Sequence, residues 1–129
     1  AIPKDTPNKL ILDRQSFLNT LRRVSIFASE ATRQVRLSIS KDQLEISAED
    51  LELSNNAHET IPCQYEGDPM DIGFNAKFLT EMISYIDSEQ VLVELSHPSR
   101  AGIIFPYGED ESEKKDDILM LVMPVMLAN

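Results

Sequence analysis

Residues 70–87 read MDIGFNAKFLTEMISYID, and the pattern changes period part-way along. The first residues form a short strand. Asn75 then supplies a capping oxygen, and Phe78, Leu79, Met82, Ile83 and Ile86 recur at helical spacing. An earlier stretch, LILDRQSFLNTLRRVSIF at 10–27, has the same grammar. There a strand at Lys9–Leu12 meets Asp13 as cap, and a helix runs from about Arg14 to Ala28. The two stretches echo at an interval of 61 residues, pairing Ile11 with Ile72, Phe17 with Phe78, Leu18 with Leu79 and Leu21 with Met82.

Strand-like alternation follows each helix. Val35, Leu37 and Ile39 point one way, and Leu44, Ile46 and Ala48 repeat the pattern after a polar turn at Lys41–Asp42. Further strands are expected at Ala57–Gln64, Gln90–Leu95 and Gly102–Tyr107. The reading is an α+β fold: a duplicated βαβββ unit with two helices on antiparallel sheets of about eight strands, each sheet covered on one face. Residues 1–129 form a single domain, with a linker-like start at 1–8, a solvated charged loop at GEDESEKKDD (108–117) and an apolar strand and tail at 118–127.

A net charge of −10 argues for solubility and against gripping nucleic acid by bulk charge. A single cysteine, Cys63, allows no internal disulfide and fits a reducing, cytoplasmic setting. No stretch reaches the roughly 20 apolar residues of a membrane span, and no signal peptide is visible. The opening AIPKDTPNK lacks an initiating Met and reads as a linker, as in one domain of a longer chain.

The elements of catalysis are missing from the pattern. His58 and His97 stand at no metal-ligand spacing with Cys63, so no metal is expected, and no glycine-rich phosphate loop or Gly-x-Ser-x-Gly elbow points to a cofactor or nucleophile. Carboxylates gather in loops, where solvation accounts for them. The chain reads as no enzyme. A small hydrolase would need a pocket where acidic groups converge.

Two features exceed what a plain core needs. On helical geometry Ile26 lies about 150° and Phe27 about 110° from the stripe of Phe17, Leu18, Leu21 and Val24. Either the helix has ended and both turn inward, or both face another protein. Gln15, Asn19, Arg22 and Arg23 occupy the polar face, as a solvated surface or a light basic lining that touches phosphates without reading bases. The second feature is the tail, where Ile118 to Met126 holds no charge. A buried central strand would explain Ile118 to Val122 but not Met123 to Leu127, since Pro124 cannot join a ladder. Met120, Met123 and Met126 are adaptable packing units suited to varied partners.

The segments LRRVSIFASEATRQVRLSISKDQLEISAED (21–50), MDIGFNAKFLTEMIS (70–84) and LMLVMPVML (119–127) resemble, in this order, the C-terminal domain of the bacterial sliding clamp, the DNA polymerase III beta subunit. The resemblance runs from about Ile2 to Leu127. It implies the DNA-clamp fold and a non-catalytic processivity factor without cofactors, in which a homodimer of three-domain subunits closes around double-stranded DNA. DNA polymerase III, its clamp loader and repair proteins would dock short peptides in an apolar cleft. Carried over, Val122, Met123, Pro124, Val125, Met126 and Leu127 would line one side of that cleft, with Ala1 at its edge. Ile26 and Phe27 match the subunit interface, and Gln15, Asn19, Arg22 and Arg23 the DNA-facing surface. Met126 stands where the family often has Arg, and Ala128–Asn129 extend past its usual end. The strand near Asn55 to Glu59 is less acidic than in some relatives. The competing reading is an acidic α+β interaction adaptor with no DNA role.

Overall fold

The computed structural model describes residues 7–30, 32–50, 55–108 and 120–125. In chain order these form β1 (Asn8–Asp13), α1 (Arg14–Ser25), β2 (Gln34–Ser40), β3 (Gln43–Asp50), β4 (Asn55–Pro62) and β5 (Gln64–Glu66). Then come β6 (Met70–Asn75), α2 (Ala76–Ser84), β7 (Gln90–Leu95), β8 (Gly102–Tyr107) and β9 (Met120–Val122). The strands make two antiparallel sheets, ordered β5-β1-β7-β8-β9 and β4-β3-β2-β6.

The duplicated unit is present, and its halves exchange their first strands. β1 pairs with β7 in one sheet, and β6 pairs with β2 in the other. Each helix begins the same way: Asp13 accepts from the Ser16 amide at 2.9 Å, and Asn75 accepts from that of Phe78 at 3.1 Å. The next orphan amide of each helix is satisfied from the other half of its own exchange, by Arg14 N donating to Glu89 O and Ala76 N donating to Arg33 O.

These caps correct the interval of the repeat. Asp13 and Asn75 are 62 apart (75 − 13), not 61. At this step Phe17 corresponds to Leu79, Leu21 to Ile83 and Val24 to Ile86, and all six are buried. The interval of 61 instead matched buried Phe17 with Phe78, which is 58% exposed. A cap fixes where a helix starts, so it fixes which face turns inward. Ile86 reaches the core beyond the helix, through a turn in which its amide donates to Ile83 O.

α1 stops at Ser25, short of the expected Ala28. The amides of Ile26, Phe27 and Ala28 donate to the carbonyls three residues back, so the helix tightens and ends. The expected strand Ala57–Gln64 is two strands in two sheets. At Cys63 the chain leaves β4 at the edge of one sheet and enters β5 at the edge of the other, with Cys63 N and Tyr65 N donating to Asp42 O and Lys41 O. Asn8, placed in the linker by sequence, belongs to β1 and is buried.

One core fills the space enclosed by both sheets and both helices. It includes Phe17, Leu21 and Val24 of α1, Leu79 and Ile83 of α2, Leu10 and Leu12 of β1, and Leu44 and Ile46 of β3. The four-stranded sheet alternates as expected. The five-stranded sheet does not: Leu92, Ile103 and Phe105 form a second cluster with Ile11 and Tyr107, while Ile104 joins the main core. The strands apolar on both faces are therefore β7 and β8. The tail strand β9 lies at the sheet edge, paired to β8, not at its centre. The charged loop at 109–117 and residues 118–119 lie outside the described residues.

Candidate functional site

The tail crosses from one sheet to the other. After β9, Met123 and Pro124 leave the ladder, and Val125 bridges to Gly73 on β6, its amide donating to Gly73 O at 2.8 Å. The β4-to-β5 crossing is its counterpart in the first half, and Pro62 precedes it as Pro124 precedes Val125, again 62 apart (124 − 62). At both crossings a residue without an amide donor ends one pairing before the chain starts the next.

This path pins the tail backbone while turning Met123 outward. Met123 is 63% exposed, and Pro124 and Val125 are half-buried. Phe78, which the sequence reading grouped with Leu79, Met82, Ile83 and Ile86 at helical spacing, is exposed on the first turn of α2, where β6 delivers the chain just past the Gly73 bridge. Sequence reasoning missed it because Phe beside Leu79 looks like core. Knowing that Asn75 is the cap would have turned it outward. Met123 and Phe78 are thus exposed apolar side chains on the two segments that the Val125–Gly73 bridge joins. Ala1, Met126 and Leu127 lie outside the described residues, as does the side chain of Val122.

Ile26 and Phe27 face solvent at the end of α1, Ile26 at 78% exposure. They do not turn into the core. Beside them runs β4, the outer strand of its sheet. Arg23 joins the two elements: its Nε lies 2.9 Å from Glu59 Oε2 and its Nη2 2.7 Å from Glu59 Oε1. The pair raises the Arg23 pKa and holds the Glu59 carboxyl below its usual range, chiefly through those hydrogen bonds. Of the four polar-face residues, Gln15 and Asn19 bond each other at 3.0 Å, and Arg22 is exposed with no salt bridge to a described residue. Arg23 is already matched by a carboxylate.

α1 and α2 lie antiparallel. Arg14, at the start of α1, donates from Nε to Ser88 O just past α2, and Arg22 and Ser25 near the end of α1 share a groove with Ala76, Lys77, Thr80 and Glu81 of α2.

No catalytic constellation assembles among the described residues. Ser99 Oγ lies 2.7 Å from His97 Nδ1, but the Ser99 amide meets the same nitrogen at 3.1 Å and both residues are exposed in the β7–β8 turn. That geometry closes a turn. Burial, then the charge of Asp42, pushes the Cys63 thiol up, away from the reactive thiolate. No group of three or more His, Cys, Asp or Glu among the described residues is placed to hold a metal ion. No helix among them is long and apolar enough to cross a membrane.

Residues 1–125 match the family described as the DNA polymerase III beta subunit, C-terminal domain. The chain belongs to this family. The beta sliding clamp of Pseudomonas putida is 31% identical over 127 residues, covering 98% of this chain and 33% of that protein. That of Rickettsia bellii is 36% identical over 133 residues, with 96% and 33% covered. A crystal structure of the Pseudomonas aeruginosa sliding clamp bound to griselimycin superposes with a TM-score of 0.89 at 29% identity, covering 98% of this chain and 32% of that one. The chain thus spans about a third of the length of these clamps.

Proposed function

We propose that this domain is one segment of a sliding clamp, a non-catalytic ring that encircles duplex DNA and tethers its clients through the tail. The observation that carries this reading is the seam itself: an exposed Met123 whose chain is tied to β6 by the Val125–Gly73 bridge, with Phe78 also exposed on the helix that follows β6. Clients are the polymerase III catalytic subunit, the clamp loader and repair proteins, each presenting a short peptide. Two subunits close the ring, with Ile26, Phe27 and the free edge of β4 as one side of the joint. Its setting is the cytoplasm.

The physics of the role agrees with the composition. A ring held on DNA by topology gains nothing from sticking to it, and each phosphate neutralised adds affinity and friction. A net charge of −10 keeps that contact light. Burying on the order of 400 Å² of apolar surface in a client cleft is worth about 10 kcal/mol at 25 cal/mol/Å². Association costs of about 4–15 kcal/mol offset much of it. Weak, exchangeable docking results, as suits partners that take turns. An adaptor with no DNA role would need neither the paired antiparallel helices nor their polar outer face.

The test is fluorescence anisotropy with a labelled C-terminal peptide of the polymerase III catalytic subunit. Met123→Ala should weaken its binding roughly fivefold, about 1 kcal/mol of lost apolar contact. The melting temperature should hold, because the side chain is mostly in solvent. Unchanged affinity would remove the cleft assignment.

A further inference from the structure

Tyr85 is 77% exposed at the end of α2, and neither the docking nor the joint proposed above uses it. It follows Phe78 and Met82 at helical spacing, so the three side chains run as one stripe along the helix. Phe78 is exposed and Met82 half-buried. The stripe lies on the flank turned away from α1, since Ala76, Lys77, Thr80 and Glu81 occupy the flank that shares a groove with Arg22 and Ser25. The corrected repeat sets this flank apart. At the step of 62, Phe78, Met82 and Tyr85 correspond to Ser16, Thr20 and Arg23 of α1. There the flank is polar and closed from within, Arg23 Nη2 donating to Thr20 Oγ1 and to Glu59 on β4. On α2 the same positions are apolar, and two of the three face solvent.

Resting on the clamp reading, we propose that the Phe78–Met82–Tyr85 stripe is the seat of a neighbouring domain on the same polypeptide, and that it receives an apolar helix end of the Ile26–Phe27 kind. The two flanks of this domain differ: Ile26 and Phe27 project at the end of α1, beside β4, and the stripe lies across α2 from them. Unlike flanks suit head-to-tail contact, the arrangement that closes rings. The size of the stripe selects the occupant. Three side chains fall far short of the roughly 800 Å² per partner that a stable dimer buries, so a free second copy would not hold. A tethered domain needs less, because a short linker supplies an effective concentration of about millimolar. This chain covers 33% of the Pseudomonas putida clamp, which leaves length there for neighbours of this size. The stripe itself carries no charge, so it does not match a phosphate or a charged peptide.

The test is tyrosine nitration by tetranitromethane, read by mass spectrometry, on the 129-residue chain and on the full-length clamp that the proposed function implies. Buried Tyr65 is the internal reference. Tyr85 is expected to react readily in the 129-residue chain and roughly tenfold more slowly in the full-length clamp, where the tether keeps a weak contact occupied. Tyr65 should react slowly in both. Tyr85→Lys puts a charge in the seat, so in the full-length clamp this domain should melt apart from its neighbours instead of with them. In the 129-residue chain the same substitution should leave the melting temperature unchanged, because the side chain is in solvent. Equal reactivity of Tyr85 in both proteins would overturn the assignment. So would protection that grows with the concentration of the 129-residue chain, which would make a second copy the occupant, or protection that appears only when duplex DNA is added. If Tyr85 stays reactive while Met123→Ala still weakens the polymerase peptide, only this seat is lost and the clamp reading survives.

Discussion

Gly67 shows how much a single residue can hold. Its φ of +146° lies in the region side chains avoid, and a Cβ there would sit 2.2 Å from Asn8 Oδ1 and 2.9 Å from Asn8 Cβ. Asn8 is buried and cannot yield: its Nδ2 donates to Ser96 O and its Oδ1 accepts from the Asp68 amide, joining β1, the β5–β6 turn and the end of β7. Gly67→Ala should cost about 2 kcal/mol or more, read as a lowered midpoint in urea. The Arg23–Glu59 pair predicts a pH effect of definite sign. Glu59 titrates below its ordinary 4.5 when folded, so its contribution is complete above that value and fades as pH falls through the lower one. Glu59→Gln should therefore be less stable than wild type at neutral pH, with the gap closing under acid. A gap constant down to pH 2 would mean that the charge on Glu59 is not what stabilises the fold.

At the scale of elements, the corrected repeat makes a contrast that either interval alone would not. Phe17 and Phe78 were equivalents at an interval of 61, yet one is core and the other surface. Phe17→Ala should cost about 3–5 kcal/mol, and Phe78→Ala should stay within about 0.5 kcal/mol in chemical denaturation. Comparable losses would put the interval back at 61. Most elements were legible because each carries a local signal: Asp13 and Asn75 as caps, and the alternation of Val35, Leu37 and Ile39. What escaped was non-local. Pro62 marks an end to pairing just before Cys63, but nothing local says that β5 joins the other sheet, since that step is set by Lys41 and Asp42 taking over as partners. Ile26 and Phe27 were left open between core and surface, and only the tightening of the last turn decides it. Arg23 read as a free cation because Glu59 lies 36 residues away.

For the whole molecule, strand exchange places both crossings at the sheet edges, and it explains why the most apolar stretch of the chain comes last. A meander repeated twice must finish by stepping onto the partner sheet, as the first half does at Cys63. In the second half the step brings Met123 and Pro124 to the surface and anchors them at Gly73. On the proposed reading, docking surface and fold closure would be the same piece of chain, so a client would meet backbone already tied down and lose little entropy on binding. The most direct test is to map the polymerase III peptide on the labelled chain by amide shifts. The account predicts saturable shifts at Met123, Val125, Gly73 and Phe78, with Gln15 and Asn19 unmoved. Shifts confined to the helix face, or none at the tail at millimolar peptide, would contradict it.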